Sequence, residues 1–264
     1  MTKKPLLSLV SFLALVVLMG AGCRSRARTP EPTPEYPFGS ETPVEPAPEA
    51  EVSACGNEYY PLRAGYTIAY RTQGGTGGSN TSRVNVLEAT ASKAVVKNSI
   101  SRPGVPPLEI TLEYKCENGS LVAKGFADAI SLTEADGAMA RGADIETLSS
   151  EGQFMPARIS AGQEWDAKYT IKLTPRGRPD VLDKRAGVVK MEVAIRRAAV
   201  EKETVTVPAG RFEAMRIISS TDFNGNTISS GVEWWVKGKG MVKSVQGTLG
   251  GAVTMEATEV GTSR

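Results

Sequence analysis

The chain of 264 residues contains no histidine. That absence excludes Ser-His-Asp and Cys-His catalysis and removes the commonest transition-metal ligand. Cysteine is scarce, with three copies, too few for a zinc site if one of them carries lipid. No catalytic residue, metal ligand or cofactor motif stands out. The longest apolar run, Leu6–Met19, is short for a bilayer span, which takes about 20 residues. No sign of charge dominates either. Without residues 1–22, which carry two lysines and no acid, the chain holds 29 basic and 29 acidic side chains. This balance argues against nucleic acid as a partner, which normally calls for a basic face. Arg176-Gly177-Arg178 and Arg196-Arg197 read as solvated surface.

What is present begins with an address. Lys3 and Lys4, the apolar run and Gly20-Ala21-Gly22-Cys23 follow the layout of a secretory signal peptide. The ending resembles the lipobox of bacterial lipoproteins, with Gly20 where that pattern most often has Leu. The resemblance implies cleavage before Cys23 and acylation of its thiol and new amino group. It places the protein in the bacterial cell envelope, bound to a membrane through lipid on Cys23. Arg24, standing where Asp would favour the inner membrane, points to the outer membrane of a Gram-negative cell. The alternatives are a membrane helix over the apolar run and ordinary cleavage with Cys23 left as a free thiol.

Residues 24–52 hold seven of the sixteen prolines, alternating with glutamates such as Glu31, Glu35 and Glu41. Such a segment buries too little apolar surface to offset ordering. Together with Cys23 it reads as a spacer over 23–52, reaching about 90 Å if extended and about 30 Å as a coil. A proline-rich ligand for a recognition domain is the other reading. Cys55 and Cys116 remain. In an oxidising compartment they suggest one disulfide, worth about 4 kcal/mol on chain-entropy grounds; two free thiols are the alternative.

From Ser53 to the end, 53–264, the pattern is that of strands. Leu108, Ile110, Leu112 and Tyr114 alternate with polar residues, as do Val189, Met191, Val193 and Ile195. Lys93–Ile100, Phe212–Ser220, Val232–Val236 and Ala252–Val260 continue the series. Asn118-Gly119, Asn224-Gly225 and Gly238-Lys239-Gly240 mark turns. Gly74–Gly78 reads as a hairpin tip; as a phosphate cradle it lacks the Lys-Ser/Thr of a P-loop. Asp128–Ser150 is open between a helix and a long surface loop. The expected fold is all-β, a curved antiparallel sheet or open barrel. A two-lobed form is suggested by the echo between Ala64-Gly65-Tyr66-Thr67-Ile68 and Ala161-Gly162-Gln163-Glu164-Trp165.

Three stretches carry a family resemblance: Tyr60–Tyr70, Val205–Phe212 and Trp234–Lys243. In that order they resemble uncharacterised bacterial envelope lipoproteins with a TapB-like domain of unknown function. Ile68 stands where that family usually has Trp. The resemblance implies a curved sheet distantly similar to the LolA-type lipoprotein carriers, whose concave side holds acyl chains.

Taken together, the residues describe a lipid-anchored, non-enzymatic β domain that binds a ligand, lipid or another hydrophobic molecule. Trp234 and Trp235 point to opposite faces of one strand and are the candidate ligand-groove residues. The second reading is a structural lipoprotein that meets an envelope protein. The third is a carboxylate enzyme on cell-wall glycans, built on Glu233 and a second acid about 5–10 Å away.

Overall fold

The computed structural model describes residues 53–75, 78–126, 143–175, 189–248 and 250–262. All of them belong to one compact unit, Ala47–Arg264. The leader, Cys23, the spacer expected over 24–52, the stretch 127–142 and Arg176-Gly177-Arg178 lie outside the described residues.

The described chain folds into twelve strands. They are β1 (Tyr66–Gly74), β2 (Asn80–Ala89), β3 (Lys93–Arg102), β4 (Val105–Glu117), β5 (Ser120–Ala123) and β6 (Ala143–Gly152). They continue with β7 (Glu164–Pro175), β8 (Val189–Val207), β9 (Gly210–Phe223), β10 (Asn226–Val236), β11 (Gly240–Thr248) and β12 (Gly251–Thr262). One antiparallel sheet contains all of them, in the order β5-β4-β3-β2-β1-β12-β11-β10-β9-β8-β7-β6. The first and last strands pair in its middle. Its two edges, β5 and β6, are neighbours in sequence. The segment after β6 turns back to close the seam between them. Leu121 N donates to Met155 O at 2.7 Å, and Phe154 N donates to Leu121 O at 2.7 Å. The sheet is thereby a nearly closed barrel, and the two-lobed alternative gives way to one continuous ladder.

Alternation sets the inside. Along β3, Ala94, Val96, Asn98 and Ile100 are buried, while Lys93, Val95, Lys97 and Ser99 are half-buried on the other face. Leu112 and Tyr114 of β4 are fully buried, but Leu108, on the same face, is 42% exposed. The reason is geometric: β5 pairs only with Tyr114–Glu117, so the start of β4 is a sheet edge. Pro106 and Pro107 stand on that edge, where missing amides discourage pairing with another chain. β6 corrects the expectation of a loop or helix over Asp128–Ser150, since 143–150 is strand. Its signal is faint because an edge strand with exposed acids, such as Glu146 bonded to Lys172 at 2.9 Å, has few apolar residues to alternate.

The Ala-Gly echo marks a real equivalence. Gly65 and Gly162 have φ of 81° and 80°. Gly65 N donates to Val86 O and Gly162 N to Ala199 O, both at 2.8 Å. Each turn leads into a strand, β1 or β7, and these stand six places apart in the twelve-stranded order. Each is preceded by a buried aromatic or apolar pair and a proline, Tyr59-Tyr60-Pro61 and Phe154-Met155-Pro156. These two irregular segments meet at one end of the barrel, where Glu58 N donates to Ala157 O at 3.1 Å.

Glycines permit the closest approaches. A Cβ on Gly231 would lie 2.1 Å from Val245 O and 2.4 Å from Gln246 Oε1. Gly65 has open space around it and only its positive φ to satisfy. Gly231→Ala is therefore expected to cost about 3 kcal/mol by overpacking, and Gly65→Ala about 1 kcal/mol by backbone strain. Denaturant midpoints of the two variants check the order; equal midpoints would contradict it.

Candidate functional site

The irregular segment Ser53–Arg63 enters one mouth of the barrel and fills it. Tyr59, Tyr60 and Leu62 are buried at 1%, 5% and 0% exposure. Burying Leu62 alone contributes about 2 kcal/mol. Tyr60 packs amid an aromatic group, with ring centroids 5.6 Å from Tyr114, 5.9 Å from Trp235 and 6.2 Å from Phe154. Asn57 fixes the segment's path. Its Nδ2 donates to Gly119 O at 3.0 Å and Pro156 O at 2.9 Å. Its Oδ1 accepts from the amides of Tyr59 and Tyr60 at 3.0 and 2.8 Å. Glu58 pairs with Lys237 and Arg158, and its carbonyl accepts from Gly238 N at 2.8 Å. Cys55 and Cys116 form a disulfide, with Cα atoms 5.4 Å apart, tying the segment to β4.

Little space remains beside this plug. The cavity between plug and wall measures about 10 Å³ and is lined by Tyr60, Pro61, Ile68, Val84, Trp235 and Met241, among others. That is about the room one water needs. Gly240 belongs to the same fit, since a Cβ there would lie 2.9 Å from Ile68 Cδ1 and 3.4 Å from Pro61 Cδ. Tyr66 OH donates to Lys239 O at 3.2 Å and Tyr70 OH to Met241 O at 2.8 Å. The three stretches that carried the family resemblance thus bear on one structure. The first supplies the end of the plug, Tyr60–Arg63, and the start of β1, and the third supplies Trp235, Lys239, Gly240 and Met241. The second forms the β8–β9 turn. That hairpin bends where the ladder skips between Ala199 and Lys202, and its tip reaches β12, with Ala209 N donating to Ala257 O at 3.0 Å.

The candidate groove residues separate. Trp235 faces inward at 1% exposure and donates from Nε1 to Glu233 Oε2 at 2.8 Å. Trp234 faces outward, half-buried, and donates to Glu203 of the β8–β9 hairpin, with Lys243 Nζ 5.8 Å above its ring. No single groove holds both.

Glu233 is itself buried, against Trp235 and a cation. Arg197 Nε lies 3.3 Å from Glu233 Oε2, with both side chains almost fully enclosed. Arg197 Nη1 also donates to Phe154 O at 3.4 Å, and the guanidinium stands 4.9 Å from the Phe154 ring. Beside them Gln246 Nε2 donates to Ser219 Oγ at 3.0 Å. The pair is not legible in the sequence, because Arg197 follows Arg196 in a run that reads as surface; only the inward register of β8 separates the two. A second, open cleft of about 450 Å³ lies along the seam, lined by Glu117, Asn118, Gln153, Glu164 and Asp166 among others. Among the described residues, no group of three or more Cys, Asp or Glu is placed to hold a metal ion.

The buried groups make two expectations. Burial pushes the Tyr60 phenol up to about 12, opposed by the Tyr114 phenol beside it. The folded state therefore favours the neutral phenol. Its contribution is complete below pH 10 and is lost as pH rises towards 12, up to about 3 kcal/mol. Chemical denaturation at several pH values is expected to show a shallower loss for Tyr60→Phe than for the unsubstituted protein across that window. Removing one partner of the buried ion pair, as in Glu233→Leu or Arg197→Met, should cost about 3–5 kcal/mol, while the double variant recovers much of it. A double-mutant cycle on unfolding free energy measures the recovery.

Comparison with known proteins gives a family and a fold. A DUF3108-like family profile matches residues 67–252. A predicted exported protein with a YmcC-like fold from Bacteroides fragilis superposes with a TM-score of 0.54 at 18% identity, covering 77% of this chain and 99% of that one. A predicted lipoprotein from Parabacteroides distasonis does so with a TM-score of 0.54 at 15% identity and the same coverage. Curated proteins give no match.

Proposed function

The chain belongs to the DUF3108-like family, and from that premise we propose that it is an exported, non-enzymatic lipoprotein of the bacterial cell envelope. Lipid on Cys23 holds it to a membrane, and its filled barrel works by presenting its walls to an envelope protein. The observation that carries this reading is the plugged mouth, with a cavity of about 10 Å³ where a carrier of the LolA type would need room for acyl chains. The leader and lipobox support the address, as do the descriptions of the two structural neighbours. Arg24 after Cys23 favours the outer membrane of a Gram-negative cell.

The outer wall offers a contact face. Ala198, Ile218, Val232 and Val245 are successive cross-strand partners on β8 to β11, and Ile218 is 48% exposed. Trp234 lies one row away. The carboxylate-enzyme reading gains nothing from Glu233, whose carboxylate is engaged by Arg197 and Trp235.

Cells labelled with radioactive palmitate should incorporate it into the wild-type chain and not into Cys23→Ser. A photo-crosslinker at Ile218 should capture a discrete envelope protein. No captured protein, together with a hydrophobic molecule co-purifying at one per chain in native mass spectrometry, would replace this reading with ligand carriage.

A further inference from the structure

We propose that the rim around the plugged mouth is a docking surface for the anionic phosphate headgroups of a membrane, so that the barrel meets the bilayer with this end. This rests on the reading that lipid on Cys23 holds the chain to a membrane, and it adds a second, electrostatic contact to that anchor.

The rim is cationic because of how the loops converge there. Arg63 and Arg158 come from the two irregular segments, Lys237 and Lys239 from the β10–β11 turn, and Lys202 from β8. These five cations meet two carboxylates. Glu58 is shared by Lys237 and Arg158, and Glu213 is bonded to Lys202 at 2.9 Å. The positive surplus is local, since the whole chain carries a formal charge of only +2. Burial raises the Tyr59 phenol, and the charges of Lys237 and Lys202 oppose that rise, which places both lysines over the plug. The side chains of Arg158, Lys202 and Lys237 are more than half exposed. Glu117, Glu164 and Asp166 line the cleft on the seam side, so the cationic arc lies over the plug and the β10–β11 turn.

Aromatic rings hold three of these cations in place. Arg63 stands 5.1 Å from the centre of the Tyr66 ring, Lys237 5.8 Å from that of Tyr59 and Lys239 5.8 Å from that of Phe212. Side chains laid on rings keep their apolar stems on the protein and their charged ends in water. Less freedom is then lost when they meet a headgroup. The path of the chain agrees. Ser53 lies at this mouth, so the chain from Cys23 joins the domain here and not at the opposite end. A surface of anionic headgroups attracts such cations within about a Debye length, about 8–10 Å at moderate salt.

Vesicle sedimentation of the full chain carrying Cys23→Ser, which has no thiol to acylate, reads the rim without the anchor. It should bind vesicles of phosphatidylcholine and phosphatidylglycerol more tightly than vesicles of phosphatidylcholine alone. In about 1 M salt, where the Debye length is about 3 Å, the preference should vanish. Lys237→Gln and Lys239→Gln should each weaken binding to the anionic vesicles about fivefold, while Lys239→Arg keeps it. Lys190→Gln removes the same charge at the opposite mouth, where β8 begins, and should leave binding unchanged. Equal affinity for the two kinds of vesicle would overturn the proposal. So would a loss with Lys190→Gln as large as with Lys239→Gln, which marks net charge rather than an oriented rim. Palmitate labelling of the wild-type chain tests the anchor separately, so either contact can fail while the other stands.

Discussion

A barrel of twelve strands has an interior that must be filled; strand side chains fill most of it, and a loop closes one mouth. The packing of Tyr60 against Tyr114, Phe154 and Trp235 is the contact on which the rest depends. Those rings come from the plug, from β4, from the segment after β6 and from β10, so one cluster joins parts of the chain that no ladder joins. Close packing explains the surrounding exactness of fit. Gly240 must lack a side chain beside Ile68 and Pro61, and Asn57 spends both its amide atoms on holding the plug's turn.

The second constraint is a polar one placed within the apolar interior. Arg197 and Glu233 are buried together, and neither would be tolerated there alone. Around them Trp235, Phe154 and Trp165 turn apolar bodies inward and offer polar atoms to the network: Trp165 Nε1 donates to the Phe154 carbonyl, which also accepts from Arg197. The plugged mouth and the ion pair are therefore one packed layer. Trp235 belongs to both, through its ring to Tyr60 and its nitrogen to Glu233.

Much of the fold could be read from the chain. Strict alternation over 108–114 and 189–196 gave strands with one packed face, and Asn118-Gly119 gave a hairpin. The family resemblance rested on three short stretches whose spacing in sequence hid that they bear on one rim. β6 was not legible, because edge strands need no continuous apolar face. The tryptophan pair was half legible. Opposite faces followed from strand geometry, but which ring was core depended on which side of β10 the barrel curved towards.

The sequence by itself determined the β class, the candidate cysteines of the disulfide and the freedom from histidine chemistry. These are properties of composition and local pattern, and they need no partner in space. Tertiary structure decided that the barrel is plugged rather than open, that Arg197 is buried while Arg196 stays 61% exposed, and that the Ala-Gly echo marks two equivalent turns within one continuous sheet. Each of these depends on contacts between residues tens to more than a hundred positions apart. Such contacts follow from the closure of the sheet, and no local pattern encodes them.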